Sequence, residues 1–109
     1  MILAKNEDLK DKVIVITGGG GVICSAIAEG FCEAGAKVAL LNLSMEAAQA
    51  KANDLTNKGY IAKAYQCNVL KKDELENVHQ AILHDLGPCD VLINGAGGNN
   101  ARANTDDEF

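Results

Sequence analysis

Val13-Ile14-Val15-Ile16-Thr17-Gly18-Gly19-Gly20-Gly21-Val22-Ile23-Cys24 is the stretch on which the reading of this chain turns. Val13 to Thr17 is short, β-branched and apolar at consecutive positions, which suits a strand buried on both faces of a parallel sheet. The four glycines that follow cannot be regular structure. Beyond them Ile23, Ala26, Ile27, Gly30, Phe31 and Ala34 fall at helical spacing. Gly35 stands where a helix C-terminal glycine belongs. A strand, a glycine turn and a helix N-terminus in that order make a place for an anion. The first backbone N–H groups of the helix point outward and its dipole favours negative charge. Glycine lets the backbone approach a pyrophosphate with no Cβ in the way.

Working outward, the same alternation continues. Val38 to Leu41 reads as a second buried strand, and Ser44 as the N-cap of a helix from Met45 to about Asn57. Ala48, Ala52 and Leu55 form its inner face, and Gly59 ends it. Ile61 to Gln66 is a third, more amphipathic strand. A third helix carries Leu75, Val78, His79, Ile82, Leu83 and Leu86 on one stripe and stops at Gly87-Pro88. Val91 to Ile93 is a fourth strand, and Asn94-Gly95-Ala96-Gly97-Gly98 a second glycine-rich loop. Thr105 with Glu108 looks like a capping box that opens a further helix, in which Phe109 falls. The order βαβαβαβ predicts an α/β Rossmann-type doubly wound parallel sheet, with strands in the order 3-2-1-4. Strands one and four are then neighbours whose connections leave in opposite directions, the switch point where such sheets bind ligands. Both glycine loops follow those two strands, so they converge on one crevice.

Composition narrows the partners. A chain of 109 residues suits one domain, here residues 1–109, and 48% hydrophobic content supports a core. Aromatics are only 4%, so that core comes from Val, Ile, Leu and Ala. The net charge is −5, with no basic run beyond Lys71-Lys72, which argues against nucleic acid and anionic membranes. Apolar runs fall far short of the ~20 residues of a membrane span, and Met1 to Lys12 has no signal-peptide core. None of Cys24, Cys32, Cys67 and Cys89 forms a C-x-x-C pair, and His79 and His84 do not complete a zinc set. Free thiols in a reducing cytoplasm, with no metal, are the expectation.

The strict G-x-G-x-x-G pattern is not met. Gly19 and Gly21 can supply the first two places with Cys24 third, or Gly18 and Gly20 with Ile23 third. The third glycine normally permits close helix–strand packing; Cys24 is small enough to be tolerated there but is expected to push the helix outward. Near a helix N-terminus its thiol pKa can fall, although a buried structural Cys is the plainer reading. The end of strand two, where an acid usually holds the ribose hydroxyls of NAD, is Asn42. Asn neither repels a 2′-phosphate nor pairs with one, so NAD and NADP both stay open. His79 reads as a partly buried core residue. Asp106, Asp107 and Glu108 complement a helix start rather than bind a metal.

Thr17 to Cys24 together with Asn94-Gly95-Ala96-Gly97 resemble the short-chain dehydrogenase/reductase family, and Leu9-Lys10-Asp11-Lys12-Val13 is similar to its usual entry into strand one. The resemblance runs from about Leu9 to Phe109. The loop through Ile23, with Leu92 to Gly98, looks most like the sugar-acid branch, that of D-mannonate or fructuronate oxidoreductases and gluconate 5-dehydrogenases. It implies a cofactor loop at Thr17, Gly18, Gly19, Gly20, Gly21, Val22 and Ile23, with Asn42 at the ribose. Asn68 and Val69 would stand beside the adenine, Asn68 where the family usually has Asp. Asn94, Gly95, Ala96 and Gly97 would border the adenosine ribose. The implied cofactor is NAD or NADP, and the implied chemistry hydride transfer to or from a hydroxyl or keto group of a small molecule, a sugar acid in that branch. A homo-oligomer is expected.

The family's catalytic Tyr-x-x-x-Lys is missing: Tyr60 is followed at that offset by Ala64, and Tyr65 by Val69. This implies that the chain is the N-terminal, dinucleotide-binding half of a domain, inactive alone, with no catalytic residue of its own. The alternative is a truncated, non-catalytic module that binds a dinucleotide or only self-associates through the apolar edge of strand four. A methyltransferase would want acids near the glycine loop and at the end of strand two, where Thr17 and Asn42 stand. A receiver-like domain would want an acidic cluster at the strand ends.

Overall fold

A computed structural model describes residues 9–18 and 21–95. Strand β1 (Val13–Thr17) leads to helix α1 (Val22–Glu33), β2 (Lys37–Asn42), α2 (Met45–Asn57), β3 (Ala62–Gln66), α3 (Lys72–Asp85) and β4 (Cys89–Asn94). The sheet is four-stranded, parallel, and ordered β3-β2-β1-β4, the doubly wound arrangement expected. Strands β2 and β4 are longer at both ends than the apolar runs alone, because backbone pairing continues past the buried side chains. Strand β3 starts one residue late, because its pairing with β2 begins at Ala62, opposite Val38.

Two layers of core sandwich the sheet. On one face Ile14, Ile16, Val38 and Leu40 meet Ala28 and Cys32 of α1 and Ala48, Ala52 and Leu55 of α2. On the other, Val13, Val15, Ala39 and Leu41 meet Leu75 and Ile82 of α3. Consecutive positions on β1 and β2 therefore serve opposite cores, which is why those strands are apolar without alternation. Ala48, Ala52 and Leu55 are buried as expected, their small side chains letting α2 lie close to the sheet.

The inner face of α1 differs from the expected stripe. Ile23 and Ala26 are exposed, while Cys24, Ala28 and Cys32 pack inward beside Ile27 and Phe31. Small residues occur on both sides of this helix, so hydrophobicity alone does not choose between the faces. The packing contact goes to the side that fits the sheet. On α3, Leu75, Ile82 and Leu86 are buried, but Leu83 is 41% exposed and leaves the stripe.

Helix α1 ends as a Schellman motif. Gly35, at φ +94°, donates its N–H to Cys32 O, and Ala36 donates to Phe31 O. That left-handed φ is the reason a glycine stands there.

The β1–β4 pairing slips between Val13 and Ile14, which face Cys89 and Val91 respectively. Asp90 is the extra residue of this bulge, and its Oδ2 accepts the Val13 N–H at 2.9 Å. A side chain thus completes a ladder that the bulge interrupts. At the far edge, Asp85 collects the hydroxyl of Tyr65 (2.8 Å), Lys63 Nζ (3.3 Å) and His84 Nδ1 (3.1 Å). These donors, His84 first and Tyr65 next, hold the Asp85 carboxyl down at about 2. On the opposite side of the sheet, Glu29 of α1 binds Lys51 and Lys58 of α2, clasping the two helices together.

Candidate cofactor site

The register brings the C-terminal ends of β1, β2 and β4 level. Thr17 lies beside Leu41 on one side and Asn94 on the other. Thr17 is only 1% exposed and acts as the junction. Its Oγ1 donates to Asn94 Oδ1 at 2.8 Å and accepts the Gly95 N–H at 3.1 Å. Its carbonyl accepts the same Gly95 N–H at 3.0 Å. One residue of β1 therefore anchors the start of the second glycine-rich loop, and the convergence expected from topology becomes a direct hydrogen-bonded contact.

Gly18 turns the chain out of β1 at φ +74°, its N–H held by Leu41 O at 2.7 Å. Its carbonyl receives the Gly21 N–H at 3.0 Å. Gly21 is the N-cap of α1; no side chain caps it and no acid lies in the first turn. Helix α2 differs, since Ser44 accepts the Ala47 N–H and Glu46 sits in its first turn. Helix α3 carries Asp73 and Glu74 in its first turn. The positive end that α2 and α3 neutralise with their own side chains is left open in α1. Val22 and Ile23, 88% and 75% exposed, flank that end.

Cys24 lies in the same first turn, its Sγ 3.8 Å from the Thr17 carbonyl as a weak donor. Burial pushes its thiol pKa up, opposite to the pull of a helix N-terminus. The thiol is held protonated, and Cys24 is half-buried rather than fully buried, packed against the α1–α2 core. The four cysteines are free.

Asn42 ends β2 half-buried, and its amide donates to Ser44 O at 3.3 Å. Asn68 is more committed than its spacing suggests. Its Oδ1 accepts the Leu70 N–H at 3.0 Å and its own N–H goes to Glu74 Oε1 at 3.1 Å. That oxygen serves a local turn and keeps a second lone pair. Val69 follows half-buried, packed on the α3 side of the sheet. Gly19, Gly20, Ala96 and Gly97, with Thr105 to Glu108, lie outside the described residues. Sequence reading missed one contributor, the contact of Cys24 with Gly95, for which no local pattern gives a signal.

Among the described residues no cluster of three or more His, Cys, Asp and Glu is placed to hold a metal ion. No described helix is long and apolar enough to cross a membrane.

Comparison with known proteins agrees with this geometry. The short chain dehydrogenase family model matches residues 12–109. An uncharacterised oxidoreductase of Haemophilus influenzae is 48% identical over 109 residues, all of this chain and 38% of that protein. Sorbose reductase of Candida albicans is 44% identical over 90 residues, covering 82% of this chain and 32% of the reductase. The crystal structure of a protein provisionally assigned as a D-mannonate oxidoreductase from Haemophilus influenzae, with bound NAD, superposes with a TM-score of 0.80. Its identity is 48%, and the match covers 93% of this chain and 36% of that one. The chain thus spans about a third of the length of these relatives. With its 3-2-1-4 parallel sheet, its glycine turn into an uncapped helix and its matched family model, this chain belongs to the short-chain dehydrogenase family.

Proposed function

We propose that this chain forms the dinucleotide-binding half of an oxidoreductase that exchanges a hydride between a nicotinamide cofactor and a hydroxyl or keto group of a sugar acid or related polyol. The observation that carries this reading is the open N-terminus of α1 directly beside the Thr17–Asn94–Gly95 junction. Glycine-turn N–H groups and the helix dipole there would hold a pyrophosphate, and Val22 and Ile23 would shield it from water. The bound dinucleotide supplies the hydride acceptor or donor, and the protein supplies position and field.

NAD is the cofactor this chain fits better than NADP. The segment between Lys37 and Lys51 contains no Lys or Arg to meet a 2′-phosphate, and Glu46 opens α2 just beyond Asn42. The NAD-bound relative agrees with that choice. The sugar-acid substrate rests on the D-mannonate oxidoreductase and sorbose reductase relatives. No Tyr in the chain is followed four residues on by Lys, so we expect residues 1–109 alone to transfer no hydride. The half-buried outer strand β4 would then join further chain or a second copy, consistent with a homo-oligomeric cytoplasmic enzyme.

Fluorescence titration with NADH and NADPH tests the reading. Saturable binding with NADH preferred is the expected result, and no binding of either dinucleotide would overturn it.

A further inference from the structure

We propose that Cys24 is a positioning residue of the cofactor site, its thiol serving as a spacer between the start of α1 and the loop after β4, so that positions 24 and 95 act as one coupled pair. The inference rests on the dinucleotide-binding reading above. Cys24 occupies the first turn of α1, three residues beyond the N-cap Gly21, so any displacement of its side chain carries the open N–H groups of that turn with it. Gly95 begins the opposing loop and is tied to Thr17 through its own N–H. The two meet over the Thr17 carbonyl, which takes the Gly95 N–H at 3.0 Å and the Cys24 thiol at 3.8 Å.

The space between them is full. A Cβ built at Gly95 runs into Cys24 Sγ and lies 2.8 Å from Thr17 O, while Cys24 Cβ stands 3.9 Å away. The sulfur therefore occupies the volume that any side chain at position 95 would need. Glycine at 95 and a side chain of thiol size at 24 are two halves of one fit. Burial keeps the thiol protonated, so it acts as a neutral body of fixed thickness and not as a nucleophile. The proposal accounts for a third loop position that is not glycine: helix and strand still approach closely because the missing side chain has been moved to the other partner.

The test is a double-mutant cycle in the intact protein, reading NADH affinity by fluorescence and the melting temperature of each cofactor-free variant. Gly95→Ala should weaken NADH binding by about tenfold or more, through overpacking between the loops. Cys24→Ala should weaken it by roughly threefold, through loss of the spacer. Cys24→Ala with Gly95→Ala should recover part of the Gly95→Ala loss, because only the Thr17 carbonyl contact remains. Losses that simply multiply in the double variant would overturn the coupling. If Gly95→Ala does not fold, Cys24→Ser and Cys24→Val decide the matter. Ser, close to Cys in size, should bind NADH nearly as the parent does, and Val should bind more weakly with little change in melting temperature. Equal affinities for Ser and Val, or a change in melting temperature with none in affinity, would reduce Cys24 to a packing residue. A parent protein that binds neither dinucleotide defeats the function itself, whereas a parent that binds with an additive cycle defeats only the spacer.

Discussion

The starts of α1 and α2 share a plan: each follows a buried strand of the same sheet and faces the same edge. They are finished differently. Helix α2 accepts a cap from Ser44 and an acid at Glu46, so its positive end is satisfied from within the chain. Helix α1 begins at Gly21 with neither. A helix start with glycine in place of a capping side chain gives up roughly a few tenths of a kcal/mol of stability, and here the omission falls at the switch point between β1 and β4. The difference teaches that the site is marked less by its glycines than by what has been withheld from the helix they lead into.

The sharpest way to break that comparison is to finish α1 as α2 is finished. Gly21 has ordinary extended backbone angles, so Asp fits there without backbone strain. Gly21→Asp should stabilise the cofactor-free protein by roughly a few tenths of a kcal/mol. It should also weaken NADH binding by about a hundredfold or more, since like charges at contact distance oppose each other by ~4 kcal/mol. Melting temperature and dinucleotide affinity would move in opposite directions, and a variant in which both fell would deny α1 its role.

A smaller effect sharpens the α2 side. Asn42→Asp places a carboxylate where the proposed site would hold the ribose hydroxyls, and should raise the preference for NADH over NADPH by about tenfold, as read from paired titrations. Smaller again, Ser44→Ala should remove about 1 kcal/mol from α2 and lower the melting temperature by a few degrees. It should leave NADH affinity unchanged. A loss of affinity would show that the two helix starts are not independent.

The smallest effect lies at the far edge of the sheet. Asp85 titrates at about 2 when folded, against roughly 3.9 unfolded. Because the folded value is the lower, its contribution is complete above the unfolded pKa and fades as pH falls from about 4 toward 2. Acid melting curves of Asp85→Asn should be flatter across that window. Curves parallel to those of the parent would leave the carboxylate without a role.

Much of this was legible in the sequence, for identifiable reasons. Strands that are apolar at every position, Ser44 before a helical period and Gly35 after one each have a single physical reading, and all three stand as read. The face of α1 was not legible, because Ala26 competes with Ala28 on size and hydrophobicity alike. Asn68 was legible only through resemblance, as a residue beside the adenine, and its bond to the Leu70 N–H two residues on was not foreseen. The Cys24–Gly95 fit joins residues from opposite ends of the chain. No local pattern encodes a volume shared between them.

The bond between Thr17 and Asn94 spans 77 residues of sequence, whereas β1 and β2 are separated by a single helix. Ring closure of that length carries a larger entropic penalty, rising by about 0.6 kcal/mol per doubling, and distant parallel pairings form late. The consequence is an order of assembly. Among the four described strands, the β1–β2 unit should form early and β4 late, so the crevice between β1 and β4 should close after the β1–β2 pairing. Deuterium uptake at the Gly95 amide should therefore outrun uptake in the middle of β1, and a bound dinucleotide bridging the two loops should slow it. The ligand would then act as a latch on the late-closing β1–β4 seam.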